Sequence, residues 1–168
     1  MKTLSAVQGA VVIAAVSMVI AAAPARPQAG SSAGDLAHHR YNLLGESVGL
    51  VSYDPVSYFH EGGGKPAKGL ITISETVDGV TYRFASKEHL AAFQQNPARY
   101  LPAYGGWCAW AVAELGKRVD VDPLSFAIRD GRLFVFYRDP ALDTHALWLK
   151  RPADLVAAAD QKWPAVSR

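Results

Sequence analysis

Cysteine is nearly absent from this chain. The 168 residues include one, Cys108, so an internal disulfide is impossible and the small disulfide-rich folds of exported proteins are excluded. A single thiol has three possible states: it is buried and inert, it forms a disulfide with another chain, or it is a reactive or metal-binding thiol. The sequence leaves these three interpretations open.

An excess of charge is also absent. The chain has 17 Lys and Arg against 15 Asp and Glu, and no basic stripe of the kind with which nucleic-acid-binding proteins contact phosphates. We therefore predict no nucleic-acid partner. The Walker phosphate loop, the dinucleotide glycine pattern and the His-Glu-x-x-His motif are missing as well, which argues against the enzyme classes that use them.

The amino-terminal segment predicts export. Lys2 precedes a small and apolar stretch over residues 9–23, and Ala-Pro-Ala at 23–25 supplies the small residues that a signal peptidase reads. We predict a secretory signal over 1–25, or alternatively cleavage after Ala29, and a periplasmic or secreted mature protein. A membrane anchor is less favoured, because the stretch is short for a bilayer span of about 20 residues and no basic stop-transfer cluster follows. Membrane contact is expected only through the signal before cleavage.

The remaining chain has the length of one domain. Residues 26–49 begin with a run rich in Pro, Ala, Gly and Ser and contain the pair His38-His39, and we predict a flexible lead-in there. Residues 50–168 are predicted to form one domain that ends in a helical extension.

Two turn signals organise the predicted secondary structure. Asp78-Gly79 and Asp130-Gly131 each separate two β-branched or aromatic segments, a pattern typical of β-hairpins with a type I′ turn. Cap and proline signals predict helices over 86–95, 107–113, 140–150 and 152–162. Hairpins followed by helices, without β-α-β alternation, predict an α+β fold in which two β-hairpins form a small antiparallel sheet packed with several short helices.

Five stretches, in their order and spacing, resemble the YHS-domain family and in particular its exported subgroup. They are Tyr53–Phe59, Tyr82–Ser86, Phe93 with Asn96–Tyr100, Tyr104–Ala109 and Asp130–Leu133. No single stretch is specific, but together they span most of the chain that follows the predicted lead-in.

The resemblance also implies where a metal would bind. Metal-binding relatives carry three cysteines, which imply a copper or zinc site with thiolate ligands, at the positions that are Ser57, Ala85 and His89 here. A hydroxyl and a methyl group do not replace thiolates. The chain therefore resembles a subgroup that lacks the usual metal-ligand cysteines, and His89 is the one residue of the three that can still coordinate.

Four residues are candidates for a rebuilt metal site: Cys108, His89, Asp54 and His60. Cys108 is predicted in the first turn of a helix, where the helix dipole favours a reactive thiolate. Its neighbours are aromatic and small, which favours the alternative of a packed, inert thiol. If Cys108 and His89 share one ion, the sulfur and a ring nitrogen are expected within roughly 4–6 Å before metal arrives.

Three functions remain open. The first is an exported accessory binding protein that handles copper or another transition-metal ion. The second is a structural or partner-binding domain that has lost the metal site and binds another exported protein. The third is a thiol-dependent enzyme or redox protein in which Cys108 is the nucleophile and His89 its base.

Overall fold

The computed structural model describes residues 40–168. The predicted signal over 1–25, the pair His38-His39 and most of the predicted lead-in lie outside the described residues. Within the described residues, the strands are β1 Leu43–Leu44, β2 Val48–Gly49, β3 Leu70–Val77, β4 Val80–Phe84, β5 Asp122–Arg129 and β6 Arg132–Phe136. The α-helices that lie wholly within them are α1 Lys87–Gln95, α2 Pro97–Tyr100, α3 Ala109–Leu115, α4 Thr144–Trp148 and α5 Pro152–Val166.

Both Asp-Gly turns close antiparallel hairpins. Asp78 and Gly79 have φ angles of 51° and 79°, and Asp130 and Gly131 have 50° and 75°, as a type I′ turn requires. The α+β prediction is confirmed. The two hairpins lie in separate sheets, however, and not in one: the first belongs to a four-stranded sheet of order β1-β2-β4-β3, and the second forms a two-stranded sheet, β5-β6.

The segment 43–49, which the sequence placed in the lead-in, supplies the two extra strands of the first sheet. Strand β1 pairs antiparallel with β2, and β2 runs parallel to β4, with Val48 opposite Thr81. Gly49 permits this approach, because a Cβ there would lie 2.7 Å from a ring carbon of Tyr82. Strands of two residues are too short to show a period in the sequence.

The apolar core has two parts. One cluster lies around the first hairpin and α1 and includes Tyr58, Tyr82, Phe84 and Phe93. The other lies around β6, α3, α4 and α5 and includes Tyr104, Val112, Phe134, Trp148 and Leu155. The aromatic residues therefore serve mainly as core.

The helices differ from the prediction mainly at their ends. Helix α1 begins after Ser86, whose Oγ accepts a hydrogen bond from the backbone N–H of His89 at 3.2 Å, as predicted for a cap. Helix α3 begins at Ala109, so Cys108 stands immediately before the helix and not in its first turn. Helix α4 begins only at Thr144, because the side chain of Asp143 caps it there. Within residues 40–168, no helix is long and apolar enough to cross a membrane.

A buried aspartate–histidine pair as the candidate functional site

Asp54 provides a fully buried carboxylate. Its Oδ1 accepts hydrogen bonds from the backbone N–H groups of Val56 at 2.8 Å and Ser57 at 3.4 Å, and its Oδ2 accepts one from the N–H of Ala85 at 2.8 Å. A buried charge is tolerated only when it is paired and hydrogen-bonded. These contacts join the turn after Asp54 to the residue that follows β4.

His89 supplies the fourth partner of this carboxylate. Its ring Nδ1 lies 2.5 Å from Oδ2 of Asp54, and the side chains of His89 and Asp54 are 22% and 0% exposed. Because a carboxylate can only accept hydrogen bonds, the contact requires a proton on Nδ1 of the imidazole. In the neutral ring, Nε2 then carries the free lone pair, and no residue of the described chain forms a hydrogen bond with it. The pair therefore presents one oriented imidazole donor at a partly exposed position.

Three positions that the sequence analysis singled out, Ser57, Ala85 and His89, converge on Asp54. Ser57 and Ala85 direct their backbone N–H groups to the carboxylate, and His89 directs its ring to it. The hydroxyl of Ser57 donates to the backbone oxygen of Asp54 at 2.6 Å and accepts from the N–H of Ala67 at 2.9 Å. The Ser57 side chain thus holds the 57–67 loop in place.

Cys108 has a different environment. It is fully buried, and its Sγ lies 3.4 Å from Oγ1 of Thr144. The Thr144 hydroxyl gives its own proton to the backbone oxygen of Tyr137 at 2.6 Å, so the Cys108 thiol is the donor toward Thr144. Among residues 40–168, no hydrogen bond joins Cys108 to His89. The two residues therefore have separate polar partners, which favours the packed interpretation of the thiol.

His60 stands apart from the Asp54–His89 pair. It is exposed in a short 3-10 turn, His60–Gly62. The next residue, Glu61, binds the guanidinium of Arg99, with its Oε1 2.6 Å from Nη2 and 2.8 Å from Nε. Within the part of the chain that is described, no group of three or more His, Cys, Asp and Glu side chains is placed to hold a metal ion. The structure therefore brings together two of the four candidate residues, Asp54 and His89.

Two polar residues of these environments escaped the sequence reasoning. The sequence marks Ser57 only as a position without a metal ligand, and no pattern in it marks Thr144. The partners of Thr144 lie 36 and 7 residues away, and no local pattern links positions so far apart. The spacing of Ser57 from Asp54 was the available signal, because a Ser three residues after an Asp-Pro turn commonly bonds back to the backbone.

Comparisons with known proteins provide no relative for this chain. No family model, no curated protein and no solved structure matches it. The candidate site therefore depends on the contacts of Asp54 and His89 alone.

Proposed function

We propose that this chain is a small exported accessory protein that binds a transition-metal ion, copper first among them, as cargo at Nε2 of His89. The observation that carries the proposal is the 2.5 Å contact between Nδ1 of His89 and the buried carboxylate of Asp54. A carboxylate that accepts a hydrogen bond from the N–H of the other ring nitrogen is the usual outer partner of a metal-binding histidine, because it fixes the tautomer and the orientation of the ring.

The donor set decides which ion fits. Asp54 already accepts hydrogen bonds from three backbone N–H groups and from His89, so its oxygens are not free for a metal. The Ser57 hydroxyl is occupied as both donor and acceptor. One imidazole remains, which falls short of the four ligands of a structural zinc site, and a low-coordinate Cu(I) ion would take it as one ligand and obtain the rest from outside the chain. Asp54 thus positions the ligand and does not coordinate the ion.

A single protein ligand also suits a role in handling metal more than one in storing it. An ion held by one imidazole keeps its other coordination positions for ligands from outside the chain. It can therefore exchange with another carrier without the protein unfolding or opening a closed cage. This supports an accessory function, in which the ion passes through the site.

The alternative of a partner-binding domain has one observation in its favour. Leu70 and Ile71 begin the edge strand β3, and they are 50% and 74% exposed. Adjacent exposed apolar side chains commonly mark a contact surface. The alternative of a thiol enzyme has less support, because the Cys108 thiol is buried and contacts Thr144.

The proposal is tested by Cu(I) titration in competition with a chromophoric Cu(I) chelator. The protein is purified from the exported fraction without an affinity tag. We expect His89→Gln to weaken binding at least tenfold, about 1.4 kcal/mol, and Asp54→Asn to weaken it by roughly 10- to 100-fold, as is typical of an outer partner. His60→Gln is the matched control and should bind as the wild type does. Equal binding by wild type and His89→Gln contradicts the proposal.

A further inference from the structure

Helix α4 begins directly beside the Cys108 thiol. Its first residue, Thr144, is buried, and Oγ1 of Thr144 lies 3.4 Å from Sγ of Cys108. The backbone oxygen of Tyr137 holds Thr144 there, because it accepts hydrogen bonds from the Thr144 hydroxyl at 2.6 Å and from the Thr144 N–H at 3.2 Å. A helix as short as α4 is stable only through its contacts with the rest of the chain. The burial of the thiol therefore depends on how firmly α4 is docked.

His145, the residue after Thr144, docks α4 on the apolar core. Its side chain is half-buried, and its ring stacks on the ring of Phe136, with the centroids 4.8 Å apart and the planes at 15°. Phe136 is fully buried and also packs against Trp148, the last residue of α4, at a centroid distance of 5.3 Å. One aromatic side chain of β6 thus contacts both ends of the helix.

A proton on His145 would weaken this docking. An imidazolium that is half-buried loses part of its hydration, and Arg138 repels it, whereas the carboxylate of Asp143 attracts it. Burial is the largest of these effects, and it holds the pKa of His145 below its ordinary value. The docked helix therefore favours the neutral ring. Undocking takes up a proton, so it becomes more favourable as the pH falls below the ordinary histidine pKa of about 6.5.

The other charged groups around α4 already have partners. Helix α4 packs against α3, β5 and β6. The charged side chains of these three elements form ion pairs away from His145: Glu114 with Arg151, Asp122 with Arg138, Arg129 with Asp130, and Arg132 with Asp160. In the segment before the helix, Asp139 accepts a hydrogen bond from the hydroxyl of Tyr137. His145 is thus the one side chain of α4 that titrates near neutral pH.

We propose that α4 is a pH-sensitive cover of the Cys108 thiol, and that protonation of His145 undocks the helix from Phe136 and exposes the thiol to solvent. At neutral pH the docked helix keeps the thiol buried. Acidification raises the fraction of molecules in which the thiol is accessible. The proposal does not depend on copper binding at His89, and it gives a role to a histidine and a thiol that the copper site does not use.

The test measures how fast dithiodipyridine labels Cys108 in the whole chain between about pH 7.5 and about pH 5. The rate for the urea-unfolded protein at each pH is divided by the native rate, which removes the intrinsic pH dependence of the thiol. We expect this protection factor to fall about three- to tenfold toward pH 5, because a difference of one pKa unit between docked and undocked helix corresponds to a factor of ten. His60→Gln is the control and should behave as the wild type does.

Two variants remove the titration of His145. His145→Phe keeps an aromatic ring against Phe136, and His145→Gln removes both the ring and the charge. In each variant we expect the protection factor to change by less than about twofold over the same pH range, because the proton uptake that drives undocking is lost. A wild-type pH dependence in both variants would show that another group controls access to the thiol.

Two further outcomes would overturn the proposal. A wild-type protection factor that rises toward pH 5 would mean that the Phe136 ring holds the imidazolium by a cation–π contact. Labelling in low urea separates opening of α4 from unfolding of the whole domain, because opening one short helix exposes little surface. The logarithm of the labelling rate should therefore rise less steeply with urea than that of the unfolding constant. Equal slopes would mean that the thiol is reached only in the unfolded chain.

Discussion

The Nδ1 atom of His89 lies 2.5 Å from the Oδ2 atom of Asp54, although the two residues are 35 positions apart in the chain. The contact joins helix α1 to the turn after Asp54, and the backbone N–H of Ala85 binds the same oxygen. The carboxylate therefore has a structural role, through the backbone groups that it holds, and a functional one, through the ring that it orients.

Replacing Asp54 by Asn removes the negative charge of the side chain and keeps its size and shape. Every hydrogen bond that the carboxylate receives comes from an N–H group, so the amide NH₂ of Asn would face donors on one side. We expect Asp54→Asn to lower the free energy of unfolding by about 3 kcal/mol, measured by urea denaturation. Asp120→Asn, at an exposed position, is the control and should change it by less than about 0.5 kcal/mol. An Asp54→Asn protein as stable as that control would show that the carboxylate does not accept these hydrogen bonds as described.

Replacing His89 by Gln should cost less than replacing Asp54. The carboxylate loses one of its four partners, but His89 is 22% exposed, so water can take the place of the ring. We expect a loss of about 1 kcal/mol, with the circular dichroism spectrum unchanged. In a double-mutant cycle, the two substitutions should couple by roughly 0.5–1 kcal/mol, up to the whole cost of His89→Gln. Additive effects would mean that the pair contributes no interaction of its own.

The Cys108 thiol should be protected in the native protein. It is fully buried and contacts Thr144, and reaction with a disulfide reagent requires an accessible thiolate. We expect native labelling to be slow and to be limited by opening of the fold, and labelling in urea to be complete within the mixing time. Stoichiometric labelling of the native protein within seconds would restore the thiol-enzyme alternative.

Helix α5 is attached by a charged contact whose strength depends on pH. Arg132 binds both carboxylate oxygens of Asp160 at 2.8 and 2.9 Å, and Tyr104 donates to the same side chain at 2.9 Å. The Arg132 hydrogen bond holds the pKa of Asp160 below its ordinary value. The stabilisation is therefore present above the unfolded-state pKa of about 3.9 and is lost as the pH falls through the lower, folded-state pKa.

Asp160→Asn should accordingly make the free energy of unfolding less dependent on pH in the acid range. Because both partners are more than a third exposed, we expect a loss below about 1 kcal/mol at pH 7 and a smaller difference from the wild type at pH 3. Thermal unfolding between pH 3 and 7 measures it, and Asp120→Asn is again the control. A stability difference between the wild type and Asp160→Asn that is larger at pH 3 than at pH 7 would contradict the lowered pKa of Asp160.

Local signals in the sequence were sufficient to predict both hairpins and the start of helix α1. Asp78-Gly79 and Asp130-Gly131 have the left-handed backbone that these residue types tolerate. Ser86 caps α1 because its side chain can reach the N–H three residues later. Each of these signals acts within about four residues, so no knowledge of the tertiary structure was needed.

Other features depend on contacts between distant residues, which a single sequence does not show. The parallel pairing of Val48 with Thr81 and the bond between Asp54 and His89 are of this kind. The sequence identified Asp54 and His89 separately as candidate donors, but not that one would orient the other. Cys108 was misplaced by a small shift of the helix start, and its partner Thr144 lies in another helix.

The most direct test of the central claim is the state of the two ring nitrogens of His89, measured by long-range ¹H–¹⁵N NMR. We predict a proton on Nδ1 and an unprotonated Nε2 at a pH where the ring is neutral. Addition of Ag(I), a redox-inert substitute for Cu(I), should then shift the Nε2 resonance of His89 and leave those of His60 unchanged. A proton on Nε2, or an Ag(I) response that appears elsewhere and not at His89, would contradict the account.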